Sequence, residues 1–300
     1  MTRVYLCWSD REPEFQQFLP GSHVLISPAL LTKRWNVKSW RALPESVMVD
    51  SGAFTLTKTK GITNVETCLA AQLRILEGWP TGSEAVLIHY DKPLQPNLPF
   101  DHYQARVSQN LEAAHEYLSR FPRAQNLIPM AVIHALDGET LIASFLELQS
   151  MGYRRFAIGS LVALIYRSRS HLQSLLQICQ EAGLKGLHIL GIASPSLLKE
   201  QLGPWIGSFD TSAPVRQAIG GTVFYSQPFE RFVLRPTGPQ KLGNKSFGRR
   251  GELDAPRSCA CPACAEDPHA LLCQDEIKAR QNRKIHNAFH LIAEVNSWAT

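Results

Sequence analysis

Apolar residues fall along this chain in two rhythms. Short, nearly continuous apolar runs occupy residues 24–27, 47–50, 86–91, 128–134, 155–159, 187–191, 205–210 and 222–225. Runs of that length without alternation mark strands buried on both faces, as in a parallel sheet. Between many of them, apolar residues recur every third or fourth place. Residues 64–77 carry Val65, Leu69, Leu73, Ile75 and Leu76, and residues 102–120 carry Val107, Leu111, Ala114 and Leu118 on one stripe. Residues 140–151 and 171–182 repeat the theme, which predicts amphipathic helices. Strands alternating with helices predict an α/β fold, here a (β/α)8 TIM barrel, with a doubly wound sheet as the structural alternative.

The apolar runs end in residues with chemistry: Asp50, Asp91, His134, Gly159, Gly191 and Asp210. In a barrel the C-terminal strand ends converge on one mouth, where active sites lie. A single aspartate after a strand is usually a helix N-cap. Three at equivalent strand ends point to a site instead.

Composition narrows the class. The chain has 300 residues, 44% hydrophobic and 19% charged, as in a soluble globular protein. The net charge of +5 permits a polyanionic partner. No apolar run reaches the roughly 18 residues of a membrane helix. Asp10, Arg11 and Glu12 interrupt the N-terminal apolar run where a secretory signal would need it to continue, so a cytoplasmic protein is expected. Residues 232–257 are rich in Gly and Pro and carry Arg235, Lys241, Lys245, Arg249, Arg250 and Arg257. They predict a basic, turn-rich connection, whose plain alternative is a solvated loop.

Of seven cysteines, Cys259, Cys261, Cys264 and Cys273 cluster near the C-terminus. An odd count with one tight cluster argues for metal rather than disulfides. Cys259, Cys261 and Cys264 form CxCxxC, a turn that supplies three thiolates to a tetrahedral Zn2+. The fourth ligand should come from the helix predicted over residues 275–295. His286 and His290 lie one turn apart on it, and His269 and Cys273 are also within chain reach. A closed four-ligand site is structural, with no open position for water. These pieces divide the chain into a catalytic barrel over residues 1–235 and a basic loop plus zinc-binding helical tail over 236–300.

Assembled in order, the motifs resemble those of the tRNA-guanine transglycosylase superfamily. Asp50-Ser51-Gly52-Ala53-Phe54 resembles DSGGF/Y, and Tyr90-Asp91-Lys92-Pro93 sits where that family has its second base-reading aspartate. Val132-Ile133-His134-Ala135 resembles IVQG, Ala157-Ile158-Gly159-Ser160-Leu161 resembles AIGGL, and Ile189-Leu190-Gly191-Ile192 resembles LMGVG. The segment from Phe209-Asp210 to Arg216 resembles DCVxPTR, and the tail matches CxCxxC followed by an HN pair, His286-Asn287. The resemblance implies Asp210 as nucleophile on the anomeric carbon of a nucleoside and Asp50 as general acid and base. It implies a base pocket of Asp91, Phe54, His134, Gly159, Ser160, Leu190 and Gly191. It also implies phosphate contacts from Arg216 and the basic residues Lys241, Lys245, Arg249 and Arg250.

The departures are informative. Ala53 replaces the second glycine of DSGGF, His134 a base-contacting glutamine, Ser160 a glycine, and Thr211-Ser212-Ala213 the CVM triplet. The chain is also short for a bacterial tRNA enzyme. Its pattern is most similar to the DNA-guanine transglycosylases, which insert a 7-deazaguanine base into DNA after exposing the target nucleotide. DNA is therefore expected over tRNA as acceptor, with a 7-cyano- or 7-amido-7-deazaguanine incoming. The alternatives are a tRNA-guanine transglycosylase of the queuine or preQ type, a non-catalytic binding subunit of a transglycosylase complex, and an unrelated barrel hydrolase with a zinc-ribbon tail. A homodimer or partner modification proteins are further expectations.

Overall fold

The computed structural model describes residues 2–32, 35–52, 62–94, 99–134, 137–160, 169–191, 206–234, 251–265, 267–273 and 275–299. Eight parallel strands close a barrel in sequence order: β1 (Arg3–Trp8), β2 (His23–Ile26), β3 (Ser46–Val49), β4 (Ala85–Ile88), β5 (Leu127–Ile133), β6 (Arg155–Ile158), β7 (Leu187–Ile189) and β8 (Ile206–Thr211). The last closes on the first, with Tyr5 opposite Asp210 and Leu6 opposite Thr211.

Helices wrap the outside: a single turn α1 (Phe15–Phe18), then α2 (Val65–Ile75), α3 (Phe100–Arg120), α4 (Gly138–Ser150), α5 (Arg169–Glu181), α6 (Ala213–Ile219) and the long C-terminal α7 (Glu276–Asn296). Their starts follow from side-chain caps. Asn64 accepts from the Thr67 N–H, Asp137 from the Thr140 N–H, and Asp275 from the N–H groups of Ile277 and Lys278. Strand residues alternate between two cores. Tyr5, Leu25, Met48, Val86, Ile88, Met130, Val132 and Ala157 fill the barrel interior. Val4, Val24, Val47, Leu87, Ala131 and Ile158 face the helices.

The barrel was expected, but one of its strands was not. Residues 222–225, expected as the eighth barrel strand, form β9 (Thr222–Tyr225) of a separate three-stranded sheet with β10 (Glu230–Leu234) and β11 (Gly251–Leu253). β9 and β10 pair antiparallel through the short turn at residues 226–229. A hairpin cannot supply consecutive strands to an all-parallel barrel. Its place is taken by β1, in which Arg3 is followed by the apolar run Val4–Trp8. β10 and β11 also correct the expectation of an unbroken loop over residues 232–257. Arg257 lies 4.3 Å over the Phe232 ring and pairs with Glu230 at 3.0 Å, as part of this small sheet's packing.

The small sheet and the cysteine turn share a core of Val223, Tyr225, Phe232, Leu234, Cys261, Cys264 and Leu271. Among the described residues no helix is long and apolar enough to cross a membrane.

Candidate active site and metal centre

The site residues converge through topology. Asp50, Asp91, His134, Ser160, Gly191 and Asp210 stand at or just beyond the C-terminal ends of β3, β4, β5, β6, β7 and β8. Phe54, Lys241, Lys245, Arg249 and Arg250 lie outside the described residues.

Asp210 is buried, 6% exposed, as is Asp91. Its Oδ1 accepts the Gly191 N–H at 2.8 Å and faces His188 Nε2 at 3.3 Å, while its Oδ2 accepts the Cys7 thiol at 3.3 Å. Gly191 reaches this geometry at φ +74, where a side chain would be strained. Burial, and then the charge of Asp210, push the Cys7 thiol well up, so it stays protonated and donates.

Asp50 and Asp91 are driven apart. Burial, followed by the charges of Asp91 and Asp210, pushes the Asp50 carboxyl up to about 7. Burial would also push Asp91 up. The hydrogen bond and charge of His134, aided by Ser51, outweigh it and hold Asp91 below the ordinary carboxylate value. Asp91 Oδ2 meets His134 Nε2 at 2.8 Å, and Oδ1 accepts the Ser51 hydroxyl at 2.5 Å. One carboxyl can therefore carry a proton near neutrality beside another that stays an acceptor.

His134 is 3% exposed and sits behind Asp91 rather than open to the mouth. Its Nδ1 pairs with Ser160 Oγ at 2.8 Å, and that oxygen also accepts the Leu94 N–H at 2.8 Å. Ser160 holds this position at φ +64, uncommon for a residue with a side chain. The neighbouring Gly159 supplies clearance: a Cβ there would lie 2.5 Å from Val132 Cγ1 and 2.7 Å from His134 Cε1. Its N–H is engaged by the Ile133 carbonyl at 3.0 Å. Leu190 packs against the barrel-interior core at the mouth. Arg216 is exposed on α6, one turn beyond Asp210.

Sequence reasoning missed three supporting residues. His188 and Ser208 lie below Asp210 inside the barrel, with Nδ1 to Oγ 2.8 Å. Gln72 of α2, fully buried, donates to the Val49, Asp50 and Ile88 carbonyls at 3.2, 3.2 and 2.7 Å and accepts the Tyr117 hydroxyl at 2.6 Å. It ties the ends of β3 and β4 together beneath Asp50 and Asp91. The available clue was a polar residue interrupting the apolar stripe of residues 64–77.

In the tail, Cys259, Cys261, Cys264 and His286 bring ligand atoms within 4.8 Å of one another. His286 Nδ1 lies 3.5, 3.3 and 3.4 Å from the three sulfurs. A tetrahedral Zn2+ with ordinary bond lengths sets such S···N edges at about 3.5 Å. His286 Nε2–H donates to the Phe224 carbonyl at 2.8 Å, which fixes the tautomer that turns the Nδ1 lone pair towards the thiolates. The donor set and tautomer fit a structural zinc. The choice among fourth ligands is thereby made. His290 Nδ1 instead accepts from Ser226, Cys273 Sγ bonds the Asp275 carbonyl, and His269 is exposed.

The metal centre reaches the barrel through α7. Asn287 accepts the Phe224 N–H and donates to the Pro214 and Thr222 carbonyls, and Arg283 donates to the Ala218 carbonyl. Both ends of α6, the helix that follows Asp210, are thus held by α7.

A family model described as queuine tRNA-ribosyltransferase matches residues 80–298. No curated protein matches the chain.

Proposed function

The chain belongs to the queuine tRNA-ribosyltransferase family and is a pentosyltransferase that exchanges guanine in nucleic acid; from that premise we propose that its acceptor is DNA and its incoming base a 7-deazaguanine. Asp210 acts as nucleophile and Asp50 as proton carrier. The observation that carries this reading is the convergence of three buried or half-buried carboxylates, Asp50, Asp91 and Asp210, on one barrel mouth, where Asp50 is pushed up to about 7 and Asp91 is held below the ordinary carboxylate value.

The steps follow from that arrangement. The target nucleotide leaves its stack and enters the mouth. A lone pair of Asp210 forms a bond to C1′ as the C1′–N9 bond breaks, and the pair passes to N9 of the departing guanine. Protonated Asp50 supplies the proton that N9 takes up. The incoming base gives its N9 proton to Asp50, its nitrogen pair attacks C1′, and the C1′–Asp210 bond returns its pair to the carboxylate. Asp91, fixed by His134 and Ser51, accepts from the N–H edge of the base. Leu190 and Phe54 flank its faces, Ser160 and Gly191 border the pocket, and Arg216 with Lys241, Lys245, Arg249 and Arg250 binds phosphates. Zinc bound at the cysteine turn supplies stability, not chemistry.

DNA is favoured because the base-pocket positions His134, Ser160 and Ala53 depart together from the tRNA-type motifs. A second reading, tRNA as acceptor, rests on the description of the matching family model. An exchange assay with radiolabelled guanine, offering duplex DNA, single-stranded DNA and unmodified tRNA side by side, separates the two. Label entering DNA alone is expected. Label entering tRNA alone overturns the DNA assignment.

A further inference from the structure

The two oxygens of Asp210 are not equivalent. Oδ1 lies between two nitrogen donors, the Gly191 N–H at 2.8 Å and His188 Nε2 at 3.3 Å. Among the described residues Oδ2 has one partner, the Cys7 thiol at 3.3 Å. His188 is completely buried in the barrel interior. Its Nε2 faces a carboxylate oxygen, so that nitrogen must carry a proton, because two lone pairs would otherwise oppose each other. Its Nδ1 is held by Ser208 Oγ at 2.8 Å, and the Tyr5 ring meets it edge-on at 5.7 Å between centroids. The imidazole therefore has one orientation, and the carboxylate above it has one rotation about its own bond.

We propose that His188, itself oriented by Ser208, is a positioning residue that locks Asp210 Oδ1 so that Oδ2 is the atom that bonds C1′. The inference rests on Asp210 being the nucleophile. A thiol is a weak donor, so Oδ2 gives up the Cys7 contact at small cost when it bonds the sugar. Oδ1 would have to break two N–H bonds to do the same. In the step itself an Oδ2 lone pair forms the bond to C1′, the C1′–N9 pair leaves with the guanine, and Oδ1 becomes the carbonyl oxygen of the ester, still held by Gly191 and His188. When the incoming base attacks, the C1′–Oδ2 pair returns to Oδ2, and the same two donors receive the restored carboxylate.

Three substitutions at one position test this. A glutamine places its amide nitrogen where His188 Nε2 lies, four atoms along the side chain. An asparagine reaches only the Nδ1 position and keeps the Ser208 contact. His188→Leu and His188→Asn are expected to lower kcat about 10- to 100-fold, with KM for the nucleic acid within about twofold, because a misrotated carboxylate costs geometry and not binding. His188→Gln is expected to recover most of that loss. A packing role alone would rank Leu and Gln by stability, with no KM-against-kcat split. The imidazole 15N spectrum of histidine-labelled protein gives an activity-free readout. His188 should show a protonated Nε2 whose signal moves in Asp210→Ala. Wild-type turnover by His188→Asn and His188→Leu, in a protein whose Asp210→Asn variant is inert, overturns the inference alone. Exchange by Asp210→Asn overturns the nucleophile assignment and the inference with it.

Discussion

At the scale of single residues the site is a set of carboxylates made unlike by their neighbours. Among the described residues no cation offsets the burial of Asp50 and the charges of Asp91 and Asp210, so its carboxyl is pushed up to about 7. On the proposed mechanism kcat/KM should fall as pH rises above about 7, where Asp50 loses the proton that the leaving guanine needs; a pH profile with a flat alkaline limb to pH 9 would contradict this. The same shift acts on stability. The folded state keeps the Asp50 proton through a window in which the unfolded chain has released it. The group's contribution is therefore full below about 4 and is lost as pH rises to about 7. Asp50→Asn should melt higher than wild type at pH 8, by a margin that vanishes near pH 4, when both are followed by thermal unfolding. The three aspartates were legible because each ends an apolar run. His188, Ser208, Cys7 and Gln72 were not. They are single polar positions inside or beside apolar stretches, and no spacing rule joins Cys7 to Asp210 across 203 residues.

At the scale of elements the small sheet and α7 form a brace behind β8, the strand that carries Asp210. Asn287 satisfies three backbone groups at once, on β9 and at the start of α6. Asn287→Ala leaves them buried without partners and should cost about 2–4 kcal/mol, measurable by denaturant unfolding. Cys261→Ala opens the Cys3His centre and should lower both bound zinc, by metal analysis, and thermal stability. Normal melting with a full zinc complement would contradict a structural role. Sequence periodicity located α2 to α5 and α7 to within a few residues, since each keeps one apolar stripe. It failed at residues 222–225. A four-residue apolar run buried on both faces looks the same in a barrel and in a hairpin, and only the pairing partner tells them apart. The strand that closes the barrel, β1, carries an equally apolar run between Arg3 and Asp10, and it too is told from a loop or a hairpin strand only by its pairing with β2 and β8.

At the scale of the whole molecule, a closed barrel collects six strand ends at one mouth and a zinc-braced tail holds the last of them from behind. The net charge of +5 suits a polyanion that must be gripped independently of sequence. Affinity for nucleic acid should therefore fall with salt, log Kd rising against log salt with a slope of about 0.7–0.9 per phosphate contact. A binding isotherm indifferent to salt would remove the phosphate grip from the account. On the proposed mechanism exchange runs through one covalent bond, between Asp210 and C1′ of the target nucleotide. Incubating the protein with guanine-containing DNA, denaturing it, digesting it and locating the nucleotide-linked peptide by mass spectrometry examines that bond directly. The expected result is a deoxyribose-linked peptide modified at Asp210, absent from Asp210→Asn. Steady guanine exchange with the nucleotide on another residue, or with no linked peptide at all, would contradict it.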